Sequence, residues 1–299
     1  MKNTKITLSF KMKENNILLR DAIKMYGISK KALTSIKYEG GKILVNDEEK
    51  TVRHKLQIGD VVSLIFPEEK KSEGLIPEYG AFPILFEDDH LLIILKEAGI
   101  STIPSREHPS GTIANQVAGY YLAKSLASTV HIVTRLDKDT SGIICIAKHR
   151  HAHHLLSEMQ KTGSVFRTYE AIVHGHVIED SFTIEAPIGR KNGSIIERII
   201  SSEGKYAKTS VKVIKRFTFQ GEKITHVRLN LHTGRTHQIR VHMMSIGHPL
   251  IGDDLYGGSQ KLIDRQALHA KSIKLSHPFT KEVIHIEAPF PQDMNEIIK

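Results

Sequence analysis

The sequence predicts an α+β protein in two blocks: a small one over 1–67 and a larger one over 83–299, joined by a linker over 68–82. Three observations lead there. From Pro83 onward, short apolar runs of strand length alternate with helical stretches, the pattern of a largely antiparallel mixed sheet with flanking helices. The leading residues instead carry two helical patterns close together, followed by two short strand-like runs. Between the blocks, Glu68-Glu-Lys-Lys-Ser-Glu-Gly-Leu-Ile-Pro-Glu-Tyr79 is charged and aperiodic, and Gly74 and Pro77 break it as they would a linker.

Each element has its own signal. Leu18, Leu19, Ala22 and Ile23 recur at helical spacing up to Gly27. Ser29 is a fitting N-cap for a second helix running to about Tyr38, closed by Gly40 and Gly41. Lys42–Val45, before the turn at Asn46-Asp47, and 61–66, after Gly59-Asp60, read as strands. In the larger block, strands are expected at 91–95, 143–147, 169–173, 210–214 and 226–231, and helices at about 112–124, 151–160 and 236–245.

Composition narrows the function. With 299 residues, 40% hydrophobic and 25% charged, the chain can bury a sizeable core. No apolar run reaches spanning length, and the start, Met-Lys-Asn-Thr-Lys-Ile-Thr, lacks the features of a secretory signal. A single cysteine, Cys145, excludes an intramolecular disulfide framework and suits a reducing cytosol, so a cytoplasmic location and no membrane association are expected. Lys and Arg outnumber acids 42 to 33, which favours a polyanionic partner. Eighteen histidines invite a metal, above all His149, His151, His153 and His154. They lack Cys or acidic partners at ligand spacing, so no metal is expected and these rings should face solvent or RNA.

Three stretches carry chemistry. In Arg135-Leu-Asp-Lys-Asp-Thr-Ser-Gly142, Asp137 sits between an arginine and a turn that enters an apolar run, which presents a carboxylate at the rim of a sheet. On its own such an aspartate caps a turn, and the neighbouring Asp139 raises the further option of a glycoside-cleaving carboxylate pair. Gly234-Arg-Thr-His-Gln-Ile-Arg-Val-His242 packs donors from Arg235, Thr236, His237, Gln238 and Arg240 into a short span able to hold phosphates or a carboxylate, with Thr236 and Arg240 on one helical face. In Phe166-Arg-Thr-Tyr-Glu-Ala-Ile-Val-His-Gly175, Tyr169 opens a strand where its ring could stack on a base.

Taken in chain order, 135–142, 169–175 and 234–242, and at roughly this spacing, the three stretches resemble the RluA/RluD-type RNA pseudouridine synthases. Leu268-His-Ala270, His277-Pro278 and Ala288-Pro289 agree as well. Gly27-Ile-Ser29, Gly41-Lys-Ile-Leu-Val-Asn46 and Ile58-Gly-Asp-Val61 make the leading block similar to an S4-type RNA-binding domain, with Lys30 and Lys31 among its expected RNA contacts. The resemblance implies that Asp137 is the nucleophile, that Tyr169 stacks on the uracil and that Arg240 ion-pairs with Asp137. It also implies that Arg135 enters the RNA as the target base leaves the stack. Arg235, His237 and Gln238 are expected to contact RNA. Thr134 stands where the family usually has His, and Lys96-Glu97 where Lys-Pro is usual.

The expected activity is isomerisation of specific uridines to pseudouridine in structured RNA, ribosomal RNA of the large subunit ahead of transfer RNA, without metal or small-molecule cofactor. The alternative is a non-catalytic RNA-binding ribosome assembly factor. The sequence carries no signal of oligomeric state.

Overall fold

The computed structural model describes residues 6–69, 74–105, 109–126 and 128–299; part of the expected linker, 70–73, lies outside the described residues. The leading block forms the expected helix pair, Leu19–Met25 and Lys30–Tyr38, against an antiparallel sheet in the order Thr7–Lys11, Val61–Ile65, Lys42–Val45, Glu48–Glu49. Ser29 caps the second helix, its hydroxyl accepting from the Ala32 amide at 3.1 Å. Leu19, Ala22, Ile23, Ile36, Leu56, Val62 and Leu64 meet in a hydrophobic core belonging to this block alone. Lys30 and Lys31 are exposed on the outer side.

Among the described residues, the larger block is built on a ten-stranded sheet. Its main path runs Ser181–Glu185, Lys208–Phe219, Glu222–Leu231, Val165–His174, Leu268–Ser276, Ser141–Ala147, Leu91–Lys96 and Ile84–Glu87. The alternation of side chains along a strand divides the core into two layers. Leu92, Ile94, Ile144, Ile146, Tyr169 and Ala171 face one side, where helices Ile113–Ala123 and Gln238–Ser245 pack. Leu91, Ile93, Ile143, Cys145 and Ala147 face the other, under helix Arg150–Lys161. Cys145 is therefore a buried core side chain.

All neighbours on this path are antiparallel except one pair. Ser141–Ala147 and Leu268–Ser276 run parallel, with Ser141 opposite His269 and Gly142 opposite Ala270. Gly142 has φ +120°, and a Cβ there would collide with the Ala270 backbone, so the Ser-Gly of the motif is what lets these strands meet.

The structure corrects three expectations. Tyr169 lies in the middle of a strand, because Val165–His174 starts four residues earlier. The helix expected from 236 begins at Gln238, leaving Thr236 in the preceding turn, so Thr236 and Arg240 do not share a helical face. His149 and His151 are buried rather than solvent- or RNA-facing. His149 Nδ1 caps the Arg150–Lys161 helix by accepting from the Ala152 amide. No group of three or more potential metal ligands occurs among the described residues.

The two blocks touch. Phe66 stacks on His151, with ring centroids 5.5 Å apart. Glu69 accepts hydrogen bonds from Thr129 Oγ1, His131 Nε2 and the Arg150 amide. Burial raises the Glu69 pKa, but the bonds and charge from His131, with Thr129 and Arg150, overcome it and hold the carboxyl at about 2.

Candidate active site

Asp137 sits in the loop between His131–Ile132 and Ser141–Ala147, and its own backbone closes the turn: the Thr140 amide donates to the Asp137 carbonyl. Side chains from distant parts of the sequence anchor this loop by its carbonyls. Thr102 Oγ1 donates to Leu136 O at 2.7 Å, Lys96 Nζ to Lys138 O at 2.7 Å, and Arg265 Nη1 to Asp139 O at 3.1 Å. Gln266 adds a bond to Thr140 Oγ1. Thr134, the residue that departs from the family, is buried and accepts from the Cys145 amide, tying the loop's start to the neighbouring strand. These bonds hold the loop without occupying the Asp137 carboxylate, the kind of support a precisely placed side chain needs.

The carboxylate faces Arg240. Arg240 Nη1 donates to Asp137 Oδ2 at 3.3 Å, while its Nε and Nη2 form a fork with Asp253, both at 2.7 Å. The Asp253 side chain is fully buried and Arg240 nearly so, whereas 28% of Asp137 is exposed. Asp253 is thus the arginine's fixed partner, and Asp137 is the partner left open to a ligand. Burial works against the arginine's charge, but Asp253 and then Asp137 reverse the balance and hold its pKa above the usual value. The Tyr256 ring lies under the guanidinium, 4.9 Å from its centre.

His237 precedes the helix in a left-handed backbone conformation, φ 55° and ψ 22°. Its Nδ1 lies 2.8 Å from Tyr256 Oη and its Nε2 3.9 Å from Asp137 Oδ2. Burial lowers its pKa against the opposing pull of Asp137. Gln238, expected to contact RNA, is instead buried and satisfied internally. It accepts from Thr233 Oγ1 and the Arg235 amide, and donates to Lys208 O and Thr209 Oγ1. Arg235 is exposed beside the cleft, its Nε on Tyr206 O.

These residues line a cleft of about 810 Å³ whose walls include Thr102, Arg135, Asp137, Tyr169, His237 and Arg240. Arg135 is exposed on one wall. Tyr169 is nearly fully buried, and that burial raises the pKa of its hydroxyl. Two strand positions earlier and on the same face, Arg167 adds a further cation; it joins no ion pair among the described residues. Lys30 and Lys31 do not line the cleft. Asp139 turns its carbonyl to Arg265 and is not among the lining residues, so the Asp137–Asp139 pair does not assemble there. Asp253, Tyr256, Thr102, Arg167 and Arg265 were not singled out by their sequence context.

An open carboxylate held beside a clamped guanidinium, in a cleft lined by further cations, belongs to an enzyme acting on a polyanion. The chain is a member of the RNA pseudouridylate synthase family, whose profile matches residues 90–245. It is 50% identical over 273 residues to the uncharacterized RNA pseudouridine synthase YjbO of Bacillus subtilis, covering 91% of this chain and 95% of the relative. To ribosomal large subunit pseudouridine synthase D of Pseudomonas aeruginosa it is 39% identical over 245 residues, 77% of this chain and 75% of that one. Human RNA pseudouridylate synthase domain containing 1 superposes with a TM-score of 0.58 at 27% identity, covering 72% of this chain and 86% of the human one. The expected family and α+β fold hold, and the protein is an isomerase acting on RNA.

Proposed function

We propose that this enzyme converts specific uridines of large-subunit ribosomal RNA to pseudouridine, with Asp137 as nucleophile. Ribosomal RNA is favoured by the likeness to the large-subunit synthases. In the reaction the carboxylate oxygen of Asp137 bonds to C1′ as the N1–C1′ bond breaks and its electron pair leaves on the uracil. The detached base turns, C5 bonds to C1′ and releases the carboxylate, the C5 proton is lost and N1 ends protonated. Atoms and electrons balance without an oxidant or cofactor.

The observation that carries this reading is the Asp253–Arg240–Asp137 line, which aims the Asp137 carboxylate while leaving its outer face open. Tyr169 stacks on the uracil, and Arg135 fills the space that the extruded base leaves, offsetting part of an unstacking cost of about a few kcal/mol. Lys30 and Lys31 on the leading block, read as an S4-type module, hold phosphates and place the RNA without reading its sequence.

Asp137→Asn tests the reading. Tritium release from C5-labelled uridine in a large-subunit ribosomal RNA transcript should fall at least about 10³-fold, with RNA affinity retained. Ordinary release by this variant would reject the role of Asp137.

A further inference from the structure

Behind the open carboxylate runs a second line of hydrogen bonds, separate from the arginine clamp. The Arg198 amide donates to Tyr256 Oη at 3.0 Å, and the hydroxyl keeps its own hydrogen to offer His237 Nδ1 at 2.8 Å, a direction favoured by the Asp137 carboxylate opposite Nε2. A neutral imidazole that accepts at Nδ1 carries its proton on Nε2. That Nε2 faces Asp137 Oδ2 at 3.9 Å. Arg198 belongs to the hairpin Ile188–Arg190/Arg198–Ile200, so the line starts on a structure outside the helix that carries His237.

Two further features bear on His237. Its left-handed φ of 55° is a strained position for a residue with a side chain, and such positions persist where the surroundings enforce them. An expected RNA contact fits poorly: Nδ1 is taken by Tyr256, and the one remaining donor points at the carboxylate, not outward. We propose that His237 is a positioning residue for the nucleophile, its Nε2–H closing onto Asp137 Oδ2 when RNA fills the cleft and adding a second donor to the oxygen that Arg240 Nη1 already holds. Hydrogen bonds that are long in a free enzyme tighten in this way in the substrate complex. The inference rests on the reading of Asp137 as nucleophile.

The charged and titratable groups around His237 are Asp137, Asp253, Arg240, Arg198 and Tyr256. The two carboxylates favour the imidazolium, while the arginines, burial and the Tyr256 hydroxyl disfavour it. Removing the hydroxyl lets Nδ1 take a proton at a higher pH, which reverses the donor pattern on which the positioning depends.

Three variants test the proposal by tritium release from the same transcript. In His237→Ala, kcat should fall about 10–100-fold with KM for RNA within about twofold. His237→Gln, which keeps a donor, should recover part of that loss. Tyr256→Phe should lower kcat and move the acid limb of the kcat–pH profile upward. A tenfold rise in KM at unchanged kcat for His237→Ala would make the residue an RNA contact and overturn the proposal. So would a Tyr256→Phe enzyme with kcat and acid limb both unmoved, and this variant decides alone if His237→Ala does not fold. Asp137→Asn in the same series separates the two readings. Full activity there removes the nucleophile, whereas an inactive Asp137→Asn beside a fully active His237→Ala removes only the role of His237.

Discussion

The cleft around Asp137 and the helix Lys30–Tyr38 both present positive charge, but they hold it differently. Arg240 is nearly buried, forked onto a fully buried Asp253 and underlaid by Tyr256. Lys30 and Lys31 stand exposed, and neither joins an ion pair among the described residues. A charge that must aim a nucleophile is fixed by partners that cost desolvation energy and repay it in geometry. A charge that only has to find phosphates is left mobile, where counterion release does the work. The difference teaches that cations on one chain can be fixed for geometry in one place and left free to meet phosphates in another, and that burial separates the two.

The largest expected effect comes from breaking the buried side of this contrast. Asp253→Ala leaves Arg240 buried without its fork, which should cost about 3–5 kcal/mol of stability. The gentler Asp253→Asn should lower kcat about 10²–10³-fold with little change in KM for RNA, because the guanidinium loses its aim at Asp137. Steady-state kinetics check this; a change in KM alone would place Arg240 among the affinity charges.

A smaller effect is expected on the exposed side. Lys30→Ala with Lys31→Ala should weaken RNA binding roughly tenfold and reduce the slope of log affinity against log salt by about 1.4–1.8, with kcat unchanged at saturating RNA. A salt titration of filter binding reads both. An unaltered slope would show that this helix does not touch phosphate and would remove the proposed S4-like role.

The smallest effect is on stability against pH. Burial, with like charges adding to it, lowers the pKa of His149 to about 3 and of His151 and His269 to about 4, all in the larger block. The leading block has one histidine, His54. Folded rings that resist protonation bind fewer protons than the unfolded chain, whose rings titrate near 6.5. Their stabilisation is therefore fully present above that value and is lost as pH falls toward 4. Between pH 7 and 5, amide protection corrected for intrinsic exchange should decline more at Ile143–Cys145 than at Val62–Leu64. Equal declines would break the contrast between the blocks.

Much of this was legible in the sequence, for physical reasons that also explain the gaps. Alternation of apolar side chains showed the strands, and Ser29 and Gly27 marked the leading helices because caps are local events. Asp137, Tyr169 and Arg240 stood out because three short stretches carried them together. Asp253 did not: in Ile-Gly-Asp-Asp-Leu-Tyr-Gly257 it reads as an exposed turn aspartate, and only the fold buries it under Arg240. Thr236 seemed helical because the 236–245 pattern is continuous, while the left-handed turn at His237 leaves no trace in residue type. His149 and His151 looked like surface rings because histidine has no fixed preference for burial, and only the packing of Phe66 and Phe279 around them decides it.

The parallel pairing of Ser141–Gly142 with His269–Ala270 sets an order on biosynthesis. Arg265 and Gln266 reach the Asp137 loop across 126 residues of chain. At a synthesis rate of about 5–20 residues per second, the loop waits roughly 6–25 s for the partners that fix it. Until then the nascent protein has Asp137 but not the frame around it. Whatever depends on that frame therefore arrives only after residues 265–270 have been made.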